Sequence, residues 1–300
     1  MKTTAQTSRK YLWIYILIAF GFTWALWIPT LLLSEQKSYT LPLAANYPAL
    51  FEEGFVNSEH ILLAVLFSLA VYGPLLAATI TAGLEGGKSG VQALFASFKR
   101  WGSGKWYGRA ALVLIAVAGV PMLIGLLTGL MKPNGAALLA FLPWLLPIFI
   151  MQILTSGLGE EPGWRGYLLP RLQQTLSGEK PVWVLGIIWA VWHFPFTIYS
   201  TLATTVEMPA AALVTTIIMS LAGQTISLIG VTYLYVWIYN HTRSLPLVIF
   251  FHALSNTLPL IPLGGWSPLV SLLTAAMPWV VVFVLEKKLP KGEFPGQPVQ

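Results

Sequence analysis

The sequence predicts an all-α, polytopic membrane protein with about eight transmembrane helices and one cytoplasmic amphipathic helix. Of its 300 residues, 56% are hydrophobic and only 9% are charged, whereas roughly 25% of residues are charged in an ordinary soluble domain. The apolar residues also form runs of about 20, the length that an α-helix needs to cross the hydrocarbon core of a bilayer. We therefore interpret residues 1–300 as a single transmembrane domain.

Eight apolar runs are the candidate spans, with ends defined to roughly 2–4 residues. The first run is too long for the apolar segment of a signal peptide, and no small-x-small cleavage site follows it, so we expect it to remain as a span. The fourth run can continue as a helix past Glu161 towards Leu176. The runs occupy residues 11–33, 61–83, 110–131, 137–158, 181–200, 212–239, 245–262 and 267–285.

The positions of Lys and Arg predict the orientation, because cytoplasmic loops of membrane proteins carry an excess of these residues. With the N-terminus in the cytoplasm, 15 of the 17 Lys and Arg residues lie on the inner side, and only Lys37 and Lys132 lie outside. An odd number of spans would remove this asymmetry. We expect a prokaryotic cytoplasmic (inner) membrane protein with both termini in the cytoplasm.

Two connections between spans are more than simple turns. Residues 91–101, VQALFASFKRW, place their large apolar side chains on one helical face, which predicts an amphipathic helix on the cytoplasmic surface. A simple basic loop is the alternative. The outer loop 34–60 is long and acidic, and we expect it to cover the outer face of the bundle. Its acidic residues are Glu35, Glu52, Glu53 and Glu59.

Composition excludes several classes of site. The chain has no cysteine, so disulfides and thiolate metal sites are impossible. The net charge of +6 does not indicate nucleic acid as a partner, because the basic residues flank the membrane spans. No glycine-rich phosphate-binding loop occurs.

Polar residues inside the spans indicate where a site lies. An ionisable group in a span costs about 2.5–3.5 kcal/mol on insertion scales and usually faces the protein interior or a water cavity. We interpret Gln224 as a residue that forms interhelical hydrogen bonds, and we expect His60 and His241 to be solvated. The remaining candidates are Glu160, Glu161 and Arg165 on the fourth span, His193 on the fifth, and His252 and Asn256 on the seventh.

The spacing of these residues predicts how they face each other. Glu161 and Arg165 are four residues apart and can form an ion pair on a helix, and His252 and Asn256 share the same spacing. Trp189 and His193 repeat it on the fifth span. Measured from the cytoplasmic side, His252 lies about 12 Å deep and His193 about 18 Å deep. We therefore expect three helices to converge on one cavity open to the cytoplasm.

The residue types suit hydrolysis. A buried carboxylate at Glu160 suits a general base, with His193 beside it to hold water, while His252 and Asn256 can donate to a developing oxyanion. Glu161 would pair with Arg165 and keep Glu160 oriented. His-Glu-x-x-His is absent, but Glu160, His193 and His252 from separate helices can still ligate zinc. Each motif taken alone has another interpretation. The Glu160–Arg165 motif fits an ion pair at the membrane edge, His193 fits a hydrogen-bonded core histidine, and His252 with Asn256 fits interhelical hydrogen bonding.

Together the motifs resemble the CPBP family, the CAAX-protease and bacteriocin-processing group of intramembrane endopeptidases, also called ABI proteins, which includes the type II CAAX prenyl proteases. EEPGWR resembles its Glu-Glu-x-x-x-Arg motif, WAVWH its Phe-x-x-x-His motif with Trp189 in place of Phe, and HALSN its His-x-x-x-Asn motif. The resemblance covers a core of roughly 90–270. The Trp189 departure affects packing more than chemistry, because one aromatic ring replaces another.

The resemblance implies an intramembrane endopeptidase that cuts a peptide bond near the cytoplasmic face. Glu160 and His193 would activate water, and His252 and Asn256 would stabilise the oxyanion, with either a divalent metal such as zinc or no metal. The partners would be a peptide or membrane-protein substrate and the lipid bilayer. A non-catalytic scaffold or bacteriocin-immunity protein using the same cavity is the alternative. A transporter is disfavoured, because the halves show no internal repeat. Substrate identity, prenylation and oligomeric state are not predicted.

Overall fold

Helices form every regular element in the part of the chain that the computed structural model describes, residues 2–205, 208–261 and 267–288. Short 3-10 turns occur at Ala44–Asn46, Ser97–Lys99 and Leu258–Leu260. The helices are α1 Lys2–Lys37, α2 Tyr47–Glu53, α3 Ser58–Ala70, α4 Gly73–Ala96, α5 Gly104–Leu127, α6 Gly135–Gln152, α7 Leu158–Glu161, α8 Leu169–Thr175, α9 Lys180–Trp192, α10 Phe194–Ala203, α11 Ala210–Thr242, α12 Leu245–Thr257 and α13 Pro268–Lys288.

The predicted all-α membrane class is confirmed, although the number of full spans differs from eight. Among the described residues, five helices are long and apolar enough to cross a membrane, and two bent pairs raise the number to seven. The pairs are α3 with α4, bent by 51°, and α9 with α10, bent by 49°. The seventh predicted span, Leu245–Leu260, is a shorter apolar helix. Its length falls below the ~30 Å of a bilayer core, so the sequence pattern overestimated this element.

The helices alternate in direction, which gives the bundle two ends. Tyr11 contacts Leu84 at one end of α1 and Lys37 contacts Glu59 at the other, so α1 is antiparallel to α3 and α4. We call the end with the connections α4–α5, α8–α9 and α11–α12 the basic end, because it carries Lys88, Lys99, Arg100, Lys105, Arg171, Lys180, Arg243, Lys287 and Lys288. We call the other the acidic end, and it carries Glu35, Glu52, Glu53 and Glu59 with Lys37 and Lys132.

One continuous helical segment, Gly135–Thr175, contains α6, α7 and α8. The predicted continuation past Glu161 is therefore confirmed. Two wider π-helical turns, Ile153–Gly157 and Pro162–Leu168, lie on either side of α7. Such turns occur frequently at functional sites. Glu161 keeps α-helical angles (φ −63°, ψ −37°), because the wide turn accommodates Pro162 without the preceding residue leaving the α region.

Two glycines let this segment approach the break between α3 and α4. A Cβ atom on Gly159 would lie 2.6 Å from the carbonyl oxygen of Val71, and one on Gly163 would lie 2.5 Å from Pro74. Any larger residue at either position would push the helices apart. The four-residue spacing is the small-xxx-small pattern that allows close packing of membrane helices, and it places the adjacent glutamates at the centre of the bundle.

The predicted amphipathic helix is present as the last part of α4, a helical stretch that a kink separates from the first part. It follows a bend at Gly87 and ends in the 3-10 turn Ser97–Lys99 at the basic end. Of its predicted apolar face, Leu94 is buried, whereas Phe95 and Trp101 are exposed. The face is therefore shared between the bundle core and the surroundings.

Three polar residues outside the main motifs have clear positions. Gln224 accepts a hydrogen bond from Thr197 across α10 and α11, which agrees with its interhelical interpretation. The prediction that His60 is solvated is wrong, because its ring is buried, stacks on Tyr39 and lies 2.7 Å from the Thr40 carbonyl oxygen. His241 is half-buried and packs against aromatic rings. Local polarity in the sequence did not reveal these aromatic neighbours.

Candidate active site

Glu160 lies almost completely buried, at 3% exposure, in the middle of the bundle. Its Oε2 atom accepts hydrogen bonds from the indole nitrogens of Trp189, at 2.7 Å, and Trp164, at 3.3 Å. Its Oε1 atom lies 3.9 Å from Nε2 of His252 on α12. The two indoles hold one carboxylate oxygen, and the other oxygen faces the histidine.

Glu161 points to a different set of partners. Its Oε1 atom accepts from Nη1 of Arg165 at 2.9 Å and from Nδ1 of His252 at 2.7 Å. A carboxylate only accepts hydrogen bonds, so Nδ1 of His252 carries the proton in this contact. The predicted Glu161–Arg165 ion pair is present, and Glu161 also orients the histidine ring, which leaves Nε2 of His252 towards Glu160.

Arg165 is completely buried between two aromatic rings. Its guanidinium carbon lies 4.3 Å from the centre of the Trp189 ring and 4.1 Å from that of Tyr235. Cation–π contact is strongest in such desolvated positions. The hydroxyl of Tyr235 lies 3.0 Å from Oγ of Ser255, which fixes one of the two rings. The described residues offer no hydrogen-bond partner to Nε and Nη2 of Arg165, so the rings and Glu161 stabilise the charge.

His193 lies at the break where α9 bends into α10. Its Nδ1 atom is 2.8 Å from the carbonyl oxygen of Trp189, one turn earlier. A carbonyl only accepts, so Nδ1 donates and Nε2 remains an acceptor in the neutral ring. The Trp192 ring meets the imidazole edge-on at a centroid distance of 4.7 Å. The break thus presents a histidine with one oriented acceptor nitrogen.

Asn256 is held by a residue that the sequence analysis missed. Its Nδ2 atom donates to Oε1 of Gln152 at 2.9 Å, and Oγ of Ser156 donates to the same oxygen at 3.3 Å. Gln152 is buried in α6. The single amide within the apolar run LPIFIMQIL was a usable signal for this residue, of the same kind as the Gln224 amide in its own span.

All four predicted catalytic residues line one cavity of about 770 Å³. Trp189, Tyr235 and Gln152 line it too, whereas Glu161 and Arg165 are not among the described lining residues. The structure thus separates the adjacent glutamates: Glu160 faces the cavity and Glu161 lies behind it. The predicted convergence of three helices on one cavity agrees with this geometry.

The cavity extends towards the acidic end of the bundle. Its walls include Trp27 of α1, Tyr47 of α2, Phe67 of α3 and Thr274 of α13, all on that side of Glu160. Burial raises the pKa of the Tyr47 phenol above its ordinary value. The predicted opening towards the basic, cytoplasmic side is therefore not what the structure shows. Counting residues along helices gives the depth of a side chain but not the direction in which the helices diverge.

Comparison with known proteins agrees with these features. Residues 142–258 match the family model described as type II CAAX prenyl endopeptidase, Rce1-like. The central part of the chain is CAAX protease-like. The matched residues lie within the predicted core 90–270 and contain every candidate site residue. A CAAX prenyl protease 2 of Methanococcus maripaludis is 41% identical over 49 residues, which are 16% of this chain and 18% of that relative's length. With its apolar helices, the chain is a multi-pass membrane protein.

The CAAX protease-like site differs at Trp189 from the phenylalanine of the expected motif, and this difference affects chemistry. The indole N–H of Trp189 donates to Glu160 at 2.7 Å, which a phenylalanine ring cannot do. The same ring covers Arg165. The expectation that the substitution concerns packing more than chemistry is therefore wrong, because the extra donor is directed at the candidate base.

The predicted metal ligands of the CAAX protease-like site were tested by their geometry. The described residues contain no group of three His, Asp or Glu side chains placed to hold a metal ion. Oε2 of Glu160 is already engaged by two indole donors, and Nδ1 of His252 by Glu161. Oε1 of Glu160 and Nε2 of His252 face each other at 3.9 Å, but as placed they do not form a three-ligand zinc site with His193.

Proposed function

We propose that the chain is an intramembrane endopeptidase in which Glu160 activates water for attack on a peptide bond. One observation carries the proposal: Oε1 of Glu160 and Nε2 of His252, from different helices, lie 3.9 Å apart at the inner end of a cavity. A polar contact longer than a direct hydrogen bond can be bridged by a water that lies beside both atoms. The CAAX protease-like match supports the same reaction class.

The proposed reaction proceeds in two steps. Glu160 takes a proton from water as the water oxygen bonds to the scissile carbonyl carbon, and His193 Nε2 accepts the second water hydrogen and orients the nucleophile. Asn256 Nδ2 and His252 Nε2, in its doubly protonated form, donate to the resulting oxyanion. Glu160 then transfers its proton to the amide nitrogen as the C–N bond breaks. Glu161 and Arg165 hold His252 in position.

The depth of Glu160 supports cleavage near the bilayer midplane and not near one face. Its neighbour Gly159 contacts Val71, and the adjacent Ala70 carbonyl accepts from Thr23 at 2.7 Å, close to the middle of the α1 span Lys10–Lys37. The proposed substrate is a peptide or membrane-protein segment in the bilayer. We propose the inner membrane with both termini in the cytoplasm, as the basic end indicates.

The test is Glu160→Gln in protein reconstituted into liposomes with a fluorogenic apolar peptide. We expect the cleavage rate to fall by about 10²–10⁴-fold, the usual contribution of a general base, while the thermal unfolding midpoint stays unchanged because the side chains have the same shape. Glu52→Gln, at an exposed position, is the control. Wild-type cleavage by Glu160→Gln would contradict the assignment of Glu160 as the base, whereas no cleavage by the wild-type protein would favour a non-catalytic scaffold.

The absence of a metal step is tested separately. Because the described residues contain no group of three side chains placed to hold a metal ion, we expect cleavage to survive exhaustive chelation and the purified protein to contain no stoichiometric zinc. Loss of activity on chelation that added Zn²⁺ restores would instead establish a divalent metal as cofactor. Both measurements use the same reconstituted protein.

A further inference from the structure

The cavity extends from Glu160 towards one end of the bundle, and this asymmetry plays no part in the proposed reaction. From Glu160, its described walls extend as far as the acidic end, where Pro42, Leu43 and Ala44 of the α1–α2 connection line it. The described lining includes no residue of the connections α4–α5, α8–α9 or α11–α12 at the basic end. A substrate therefore has a path to Glu160 from one end of the bundle.

Packed side chains close the other direction. Behind Glu160 lie Glu161 and Arg165, both completely buried, with the Trp189 and Tyr235 rings on the guanidinium. Trp164 is also completely buried and meets Tyr15 of α1 edge-on at 5.8 Å. A polypeptide arriving from the basic end would have to displace an ion pair and several aromatic rings. Displacing one partner of a buried ion pair would leave the other charge buried without compensation, which is strongly unfavourable.

The lining also restricts the chemistry of the occupant. None of the described residues that line the cavity is Lys, Arg or Asp, and Glu160 is the charged group among them. Most of the others are aliphatic, aromatic, alanine or proline side chains. A free carboxylate entering this space would meet the Glu160 carboxylate, and no Lys or Arg is among the described lining residues. An uncharged, apolar stretch of chain fits the walls without an unpaired charge.

We propose that the substrate is an uncharged, apolar polypeptide segment that reaches Glu160 from the acidic end, which is the extracytoplasmic side under the positive-inside rule. The role of this route in catalysis rests on the proposed function, whereas the route itself is inferred from the cavity lining alone. The α1–α2 connection lies beside the path, with Tyr47 buried against the cavity and Phe51 stacked on Trp144 at 5.5 Å.

The absence of cysteine in the chain makes the route directly measurable. Ser227→Cys and Ser68→Cys place single thiols on the cavity wall. Ser58→Cys marks the exposed acidic end, and Ser89→Cys marks the exposed basic end. Each variant is treated with a membrane-impermeant maleimide in right-side-out and in inside-out membrane vesicles.

We expect the cavity thiols of Ser227→Cys and Ser68→Cys to be labelled from the same face as the Ser58→Cys control, the extracytoplasmic one, and from that face only. Labelling of the cavity thiols together with Ser89→Cys, or from neither face, would overturn the route. Labelling with Ser58→Cys on the cytoplasmic face would overturn the extracytoplasmic assignment. Because labelling needs no turnover, a failure here is distinct from an active Glu160→Gln enzyme.

Discussion

Two regions meet at Glu160, and they differ in whether their charged groups are paired within the protein or face an open cavity. On the basic side, Glu161 and Arg165 form a sealed cluster away from the cavity, and Glu161 also accepts from Nδ1 of the cavity residue His252. On the acidic side, the cavity exposes Glu160, with His193 and Asn256, to a space of about 770 Å³. Adjacent residues on a helix point about 100° apart, so neighbouring glutamates fall into different environments.

The difference teaches how an apolar bundle accommodates reactive groups. The sealed cluster orients His252 through its Nδ1 atom and gives its other nitrogen to the cavity. The cavity residues keep atoms free for a reactant. Stability should therefore depend mainly on the sealed cluster, and the rate of cleavage mainly on the cavity wall.

The largest effect on stability is expected for Arg165→Met. Methionine fills the space between the rings but removes the cation paired with the buried Glu161 carboxylate, and breaking a buried pair in this way costs about 3–5 kcal/mol of unfolding free energy. The measurement is denaturant or thermal unfolding in detergent. Arg171→Met is the matched control, because its ion pair with Glu85 is partly exposed and such pairs contribute about 1 kcal/mol or less. Equal losses in the two variants would remove the distinction between the regions.

A smaller, catalytic effect is expected for Trp189→Phe, which links the two regions. Phenylalanine keeps a ring over Arg165 but loses the N–H donor to Glu160. A hydrogen bond to a charged group contributes about 1.5–3 kcal/mol, so we expect kcat to fall by about 10- to 100-fold. Trp183→Phe, on an exposed ring, controls for general loss of indole. An unchanged kcat would show that Trp164 alone positions the carboxylate.

The smallest effect is expected for Gln152→Leu on the cavity wall. The change removes the acceptor that orients the Asn256 amide, and a neutral hydrogen bond is worth about 1 kcal/mol, so kcat should fall about 5-fold with KM little changed. Gln224→Leu makes the same chemical change away from the described cavity lining and should leave kcat unaltered. A larger loss of kcat in Gln224→Leu would refute a specific role for Gln152.

The sequence by itself determined the features that depend on neighbours along the chain. Apolar runs of span length predict the membrane helices, and the four-residue spacing of Glu161 and Arg165 predicts their ion pair. The motifs EEPGWR, WAVWH and HALSN also name the residues that the cavity brings together. Each of these features depends on residues within one helix or on residues a few positions apart in the sequence.

Only the tertiary structure decided which way the site opens and which atoms meet in it. The Glu161–His252 and Trp189–Glu160 hydrogen bonds join residues 91 and 29 positions apart, and Gln152 meets Asn256 across 104 positions. The direction of the cavity depends on where helices separate, and that depends on the breaks at α3–α4 and α9–α10 and on side-chain volumes from distant segments. Local periodicity contains no information about such contacts, because each is fixed by the packing of the whole bundle.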